Sequence, residues 1–187
     1  EDGKVYATGD NTSYGHLGTG NTTDVNTPVQ VMSNYKVLDV ACGDLHTVFL
    51  TENDGVFATG YNGNGSLGDN TVTNRTSPVK VNLYEKIIRV FAAYRSTYFL
   101  TENNEVYACG YNNYGQLANG NVTQQNMPVK IDFDQKVVDI IPGREFVFFV
   151  TNENKVYACG RNNEGQFGLG FSNNVTSNYT PQEVFVD

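Results

Sequence analysis

The sequence has few of the side chains that metal centres, disulfide frameworks and most catalytic sites need. Its 187 residues include only three cysteines and two histidines. The odd number and wide spacing of Cys42, Cys109 and Cys159 do not fit a disulfide framework or a zinc site. We expect all three to be reduced, buried side chains, and we predict neither a metal nor a cofactor.

Long apolar runs and basic runs are also missing. No apolar stretch approaches the roughly 18 residues that a membrane-spanning helix needs. The formal net charge is -8, with 20 acidic side chains against 12 lysines and arginines. A surface of this sign repels phosphate backbones, and no cluster of basic residues offsets it. We therefore expect neither a membrane nor a nucleic acid as a partner.

Apolar periodicity of the helical kind is absent too, so helices should be nearly absent. A repeat is present instead. The segment Val-Tyr-Ala-Thr-Gly at 5–9 returns in near-identical form at 56–60, 106–110 and 156–160, an interval of about 50 residues. A glycine-centred turn follows each copy. We divide the chain into units of roughly 5–55, 56–105, 106–155 and 156–187.

Short β-branched and aromatic runs within each interval predict strands. Around the third interval we expect strands at 129–131, 137–141, 146–151 and 156–159, with a polar hairpin turn before the last. We interpret these four as one antiparallel sheet. Successive four-stranded sheets of this length indicate an all-β fold, a β-propeller whose sheets are its blades.

Two motifs resemble the regulator-of-chromosome-condensation repeat. Residues 110–117 read Gly-Tyr-Asn-Asn-Tyr-Gly-Gln-Leu, similar to the family's Gly-x-Asn-x-x-Gly-Gln-Leu-Gly stretch, although Ala118 replaces the closing glycine. Residues 43–46 read Gly-Asp-Leu-His, similar to its Gly-x-x-His step. The resemblance implies a seven-bladed propeller, of which residues 1–187 would form about three and a half blades.

The chain ends fall inside repeat units. Residues 1–4 align with a hairpin turn, and 181–186 align with the first strand of a new unit. Because open sheet edges invite pairing, we expect the edges to be completed by further repeats of a longer protein or by another chain.

No catalytic constellation is recognisable. His46 fills the repeat's histidine position, where we expect it to hydrogen-bond a neighbouring loop rather than act in catalysis. Glu52, Glu102 and Glu153 recur because the hairpin turn recurs, so they are interpreted as solvated turn residues. The resulting prediction is a protein that is not an enzyme.

Loops held by a rigid scaffold are a common place for recognition, and tyrosine and arginine dominate binding hot spots. The candidate partner-binding residues in the loops are Tyr14, Tyr61, Tyr94, Arg95, Tyr111, Tyr114, Arg144 and Arg161. The predicted function is a non-enzymatic protein–protein interaction scaffold within a larger protein or assembly.

Two alternatives stay open. The resemblance also suggests a guanine-nucleotide exchange factor for a Ran-like small GTPase, or a secreted inhibitor or binding protein. We expect a cytoplasmic location, with a cytoskeletal or ciliary assembly as one setting. The secreted alternative rests on seven Asn-x-Ser/Thr sequons, which begin at Asn11, Asn21, Asn64, Asn74, Asn121, Asn174 and Asn178.

Overall fold

The computed structural model describes residues 2–170 and 179–184, and all the regular structure in those ranges is β-strand. The strands β1 to β14 are Val5–Gly9, Val25–Val31, Val37–Cys42, His46–Thr51, Val56–Gly60, Arg75–Lys80, Ile87–Ala93, Ser96–Thr101, Val106–Gly110, Gln125–Lys130, Val137–Pro142, Phe146–Thr151, Val156–Gly160 and Gln182–Val184. Among the described residues, no helix is long and apolar enough to cross a membrane.

The strands form three four-stranded antiparallel sheets and one two-stranded sheet. We call β3–β6 the first blade, β7–β10 the second blade, β11–β14 the third blade, and the pair β1–β2 the half-blade. Strands adjacent in sequence are adjacent in each sheet. The prediction of an all-β propeller segment of about three and a half blades is confirmed.

The predicted grouping of strands into sheets is wrong. The run expected at 129–131 belongs to β10, which pairs with β9 of the preceding sheet through Val129↔Ala108 and Lys130↔Tyr107. Likewise, β14 pairs with β13 through Ala158↔Gln182 and does not start a new sheet. An interval of about 50 residues has no marked origin, so periodicity alone cannot say which sheet receives a strand. Each blade takes two strands from one sequence unit and two from the next.

The outermost strand of each full blade explains the recurring proline. Pro78 and Pro128 lie within β6 and β10, not before them, and the pairing of both strands is irregular near the proline. A proline lacks the N–H that a central strand needs, whereas an edge strand or a bulge tolerates it.

The core lies between the blades, because the second strands of the first and second blades are covered on both sides, whereas β12 of the third blade is fully buried on one face only. All six residues of β4 and of β8 are buried. Phe49, Phe99 and Phe149 occupy equivalent positions in the three blades and are at most 1% exposed. Burying each of these rings stabilises the fold by roughly 2–3 kcal/mol.

The glycine-centred turn after each third strand is organised by a buried asparagine. The Oδ1 of Asn62 accepts a hydrogen bond from the Leu67 amide at 3.0 Å, and the Oδ1 of Asn112 accepts one from the Leu117 amide at 2.9 Å. Asn11 and Asn162 play the same part in the other turns. All four asparagines are at most 1% exposed.

These turns also join the blades. The Thr59 hydroxyl of the first blade donates to the Gly15 carbonyl at 3.1 Å, and the Thr97 hydroxyl of the second blade donates to the Ser66 carbonyl at 2.7 Å. Each bond runs from a strand to the turn of the preceding sheet. The sequence motif of the turn is therefore a contact surface between blades.

The cysteines behave in two ways. Cys109 and Cys159 are buried as expected, and burial raises the pKa of the Cys159 thiol to about 12. Cys42, at the end of β3, is exposed, so the expectation that all three are buried is wrong. Cys42 is the last residue of an innermost strand whose side chains alternate between partly covered and exposed, and composition carries no information on that alternation.

Candidate functional site

The eight candidate residues lie at one end of the strands. This end carries the turns after the first strand of each full blade and the glycine-centred turns after the third strands, and we call it the ladder end. The opposite end, which carries the turns between second and third strands and the connections between blades, is called the hairpin end. The structure brings all eight candidates into one continuous series of ring and cation contacts, the tyrosine–arginine ladder.

One half of the ladder runs from the half-blade to the second blade. The rings of Tyr14 and Tyr61 meet edge to face, with centroids 5.1 Å apart and an interplanar angle of 79°. The Arg95 guanidinium lies 4.7 Å from the Tyr61 ring centroid and 4.8 Å from the Tyr94 centroid. Arg95 therefore bridges tyrosines from two blades by cation–π contacts.

The other half runs from Tyr94 to the third blade. Arg144 lies 4.7 Å from the Tyr94 centroid, and the Tyr111 ring meets the Tyr94 ring edge to face at 6.0 Å. Tyr111 and Tyr114 follow at 6.4 Å, and Arg161 lies 5.4 Å from the Tyr114 centroid. Tyr94 contacts members of both halves and is the centre of the series.

Close backbone packing fixes the ladder on the blades. The Tyr111 amide donates to the Arg95 carbonyl at 2.9 Å, and the Tyr61 amide makes the same bond to Leu45 at 2.8 Å. Gly110, directly before Tyr111, has φ 105°, and a Cβ there would lie 2.3 Å from the Arg95 carbonyl oxygen. Only glycine permits so close an approach of the two backbones. The approach places Tyr111 beside the turn that contains Arg95.

Tyr94 itself sits in an unusual turn. It has φ 31°, in the left-handed region that L side chains rarely adopt. The second blade turns from β7 to β8 through Tyr94 and Arg95 alone, where the first blade uses Gly43, Asp44 and Leu45. Backbone strain of this kind costs about 1 kcal/mol and persists where the surroundings enforce it. Here it directs two adjacent side chains into the ladder.

Electrostatic contacts differ along the ladder. Arg161 donates to Glu145 at 2.6 Å and to Glu164 at 3.1 Å, and the bond to Glu145 raises the pKa of the Arg161 guanidinium. Glu145 is only 14% exposed in its side chain. Burial, helped by the neighbouring Tyr114, raises the pKa of Tyr111. Tyr111 is thus a neutral side chain at neutral pH, and all five ladder tyrosines are half-buried.

Sequence reasoning missed Glu145 and Asp44. Glu145 fixes Arg161, and Asp44 lines a cavity of about 330 Å³ with Tyr94 and Arg144. A signal for the first pair was present in the sequence. Residues 45, 95 and 145 lie the same number of positions before the ladder residues 61, 111 and 161, and each pair is joined by a backbone hydrogen bond. The opposite charges at 145 and 161 therefore indicate a side-chain contact.

A buried histidine near the ladder links two blades. His46 is 1% exposed, and its Nε2 lies 2.9 Å from the Thr97 hydroxyl of the second blade. The expected bond thus goes to a neighbouring strand and not to a loop. Burial lowers the pKa of His46 to about 4, so the ring is neutral at physiological pH. In the part of the chain that the structure describes, no three His, Cys, Asp or Glu side chains are placed to hold a metal ion.

The predicted turn glutamates are exposed and form ion pairs with lysines at the hairpin end. Glu52 pairs with Lys36 at 2.5 Å, and Glu102 pairs with Lys86 at 2.6 Å. Glu153 lies 3.8 Å from Lys155. None of these three glutamates contacts the ladder, so the ion pairs at the hairpin end are separate from those at the ladder end.

Comparisons with solved structures find other proteins with this fold. Human WBSCR16 superposes with a TM-score of 0.81 at 23% identity, covering 97% of this chain and 48% of that one. Yeast RCC1 (Prp20), solved bound to Kap60, superposes with a TM-score of 0.85 at 19% identity, covering 98% of this chain and 45% of that one. Likenesses at these identities show the fold alone.

In sequence, the ultraviolet-B receptor UVR8 of Arabidopsis thaliana is 46% identical over 66 residues, which is 34% of this chain and 15% of the receptor. The chain thus spans about half of the solved propellers and a smaller part of UVR8. The Regulator of chromosome condensation (RCC1) repeat matches residues 2–50, 53–100 and 103–150. Since these ranges cover most of the sequence, the chain belongs to the RCC1 repeat family.

Proposed function

We propose that this chain is part of a β-propeller scaffold that binds another protein through the tyrosine–arginine ladder, without enzymatic activity of its own. One observation carries the proposal. Eight side chains from successive sheets, all tyrosine or arginine, form one contact series across a single end of the blades.

The composition and rigidity of the ladder support binding. Tyrosine and arginine are the residue types, with tryptophan, that contribute most to interface hot spots. Their side chains stack on one another, and their backbone is fixed by hydrogen bonds such as that from the Tyr111 amide to the Arg95 carbonyl. Preorganised side chains lose less conformational entropy on association, which favours affinity.

Relatives of the same fold are described with protein partners. Yeast RCC1 (Prp20) was solved bound to Kap60, and Prp20p was described together with its binding to Gsp1p and histones. These partners belong to those proteins. What carries over into the proposal is that a propeller of this fold serves as a platform for proteins.

The exchange-factor and secreted-inhibitor alternatives have weaker support. An exchange assay with the intact protein and a Ran-like GTPase tests the first, and acceleration of nucleotide release would replace our proposal. For the second, Asn11 is fully buried, so its sequon is closed to a glycan in the folded chain, whereas Asn21, Asn74 and Asn121 are exposed. The sequons at Asn174 and Asn178 lie outside the described residues.

We include a cytoplasmic location in the proposal, since two cysteines are buried thiols and the remaining one is exposed. An exposed thiol fits a reducing compartment better than an oxidising one. Glycan mass on Asn21, Asn74 or Asn121 in protein from its native source would contradict this location.

A test of the binding proposal uses variants at both ends of the blades in the intact protein. Photo-crosslinking amino acids are placed at Tyr14 and Tyr94 on the ladder and, as the control, at Tyr84, a 91% exposed tyrosine at the hairpin end. The partner crosslinked from the ladder is then purified and its affinity is measured. Tyr94→Ala should weaken it roughly 30-fold, as expected for a hot spot, and Tyr84→Ala should not change it. Equal crosslinking from both ends would contradict the proposal.

A further inference from the structure

Two arginines of the ladder form no ion pair with a carboxylate in the part of the chain that the structure describes. Arg75, Arg89 and Arg161 each form an ion pair with a carboxylate at 2.6 to 2.8 Å. Arg95 and Arg144 form none with any residue in 2–170 or 179–184. A hydrogen bond to Tyr94, and more weakly the nearby Glu145 and Asp44, raise the pKa of the Arg144 guanidinium, but neither carboxylate lies within ion-pair distance of it. In a chain of net charge -8, two neighbouring arginines without a directly paired carboxylate differ from the other three.

Stacking occupies the faces of these two guanidinium groups, and Arg144 also donates one hydrogen bond to Tyr94. Arg95 lies between the Tyr61 and Tyr94 rings, and Arg144 lies against Tyr94. A guanidinium that stacks through its faces still points its N–H groups outward in its own plane, in the fork that a carboxylate accepts. The Nε of Arg95 is buried without a hydrogen-bond partner among the described residues.

The two guanidinium groups are close enough for one short segment. Both contact the Tyr94 ring, at 4.8 and 4.7 Å from its centroid, so their carbons are at most about 9.5 Å apart. Alternate side chains of an extended peptide lie about 7 Å apart on one face. The cavity of about 330 Å³ beside Arg144 provides room for such a segment.

We propose that Arg95 and Arg144 bind two carboxylates of an extended acidic segment of the protein partner, with acidic residues at alternate positions. This inference rests on the proposed function and specifies the chemistry of the partner. Asp44, which also lines the cavity, repels carboxylates and phosphates alike, so a phosphoserine peptide in the test distinguishes the two kinds of anion.

The test uses a defined probe and the intact protein. The probe is a fluorescein-labelled peptide of sequence Ser-Glu-Thr-Glu-Ser, and the control peptide has glutamine in place of both glutamates. Binding is followed by fluorescence anisotropy at low salt. The glutamate peptide should bind at least tenfold more tightly than the glutamine peptide, and 0.5 M NaCl should abolish the difference, since exposed charge pairs are screened.

Variants locate the site. Arg144→Gln removes an exposed charge and should weaken the glutamate peptide about tenfold, as should Arg95→Gln. Arg95→Lys should weaken it nearly as much, because lysine keeps the charge but loses the planar fork. Lys80→Gln, which removes an exposed lysine at the hairpin end, is the matched control and should leave the affinity within twofold.

Equal losses in Arg144→Gln and Lys80→Gln, or equal binding of both peptides, would overturn the inference, as would tighter binding of a peptide with phosphoserines in place of the glutamates. The failure would be distinguishable from failure of the proposed function. Crosslinking of one partner from Tyr14 and Tyr94 but not from Tyr84 would still support the ladder as the binding surface, with a partner of different chemistry.

Discussion

The ladder end and the hairpin end are built from the same strands, yet they differ in how the repeat fills them. At the hairpin end the equivalent positions 36, 86 and 136 are all lysine, and 52 and 102 are both glutamate. At the ladder end, 44, 94 and 144 are Asp, Tyr and Arg, and 45, 95 and 145 are Leu, Arg and Glu. The lysines at the hairpin end repeat, with Asn152 as the one departure among the glutamates, whereas these ladder-end positions differ in every blade, although the buried asparagines beside them repeat.

The difference extends to how the residues are held. All seven lysines of the chain lie at the hairpin end, and several form exposed pairs such as Lys86 with Glu102. Surface pairs of this kind contribute little to stability and exchange readily with water. The ladder end instead uses stacking, buried asparagines and close backbone contacts. The positions that vary at the ladder end are the ones to which our proposed function assigns partner binding.

Alanine substitution of one glycine at each end should give the largest contrast in stability. In Gly110→Ala the new Cβ meets the Arg95 carbonyl oxygen at 2.3 Å and the residue has a positive φ, so we expect a loss of about 4 kcal/mol. Gly55→Ala, at the hairpin end, also has a positive φ, but its nearest neighbour is the Lys80 Cε at 3.6 Å. That variant should lose about 1 kcal/mol. Urea unfolding measures both, and equal losses would show that the ladder end has no tighter backbone packing.

Asparagines give the next contrast. Asn112→Ala removes the acceptor of the buried Leu117 amide and the donor to the loop carbonyls of Asn121 and Thr123, so the free energy of unfolding should fall by about 3 kcal/mol. Asn103→Ala removes an exposed asparagine from a hairpin turn and should change it by less than about 0.5 kcal/mol. Chemical denaturation of the two variants in parallel checks the prediction. A small loss in Asn112→Ala would mean that water replaces the asparagine in the turn.

Particular residues show which features of the structure could be predicted from the sequence. Val56–Gly60 and its equivalents were recognisable as strands because β-branched residues, an aromatic and a closing glycine recur there. The eight ladder residues could be named because they are tyrosines and arginines in predicted loops, and Tyr61, Tyr111 and Arg161 directly follow those closing glycines. Their mutual contacts could not, since Arg95 reaches Tyr61 of the preceding blade only after the sheets have packed.

The pairing of strands was the feature hardest to predict from the sequence. The sequence of residues 125–130 does not indicate whether they pair with the strand before or after them, and in the structure they pair with Val106–Gly110. The exposure of Cys42 was hidden for a similar reason, because it depends on which side of an innermost strand faces a neighbour. Local composition determined the elements, whereas contacts between elements determined the sheet and the surface.

Low pH should lower the free energy of unfolding through His46, a buried residue near the ladder. The pKa of His46 falls from 6.5 to about 4 because the ring is buried, so the unfolded chain binds a proton at a pH where the folded chain does not. The stabilising contribution is complete above pH 6.5 and is lost as the pH falls toward 4. We expect a loss of about 2 kcal/mol between pH 7 and pH 5. Unfolding measured across this range should show a flatter dependence in His46→Gln, and an identical slope in both proteins would contradict the assignment.

The smallest contrast concerns one ion pair at each end. Glu145→Gln weakens the bond to Arg161 at a site where the glutamate is 14% exposed, and it should cost about 1 kcal/mol. Glu102→Gln breaks a pair in which the glutamate is 46% exposed, and it should cost less than about 0.5 kcal/mol. Raising the salt concentration to 1 M should erase the second cost and leave most of the first, because screening acts mainly on exposed charges. If both costs vanish with salt, the ladder-end pair is as solvated as the hairpin pairs, and the ordering of Arg161 must then come from its contact with Tyr114.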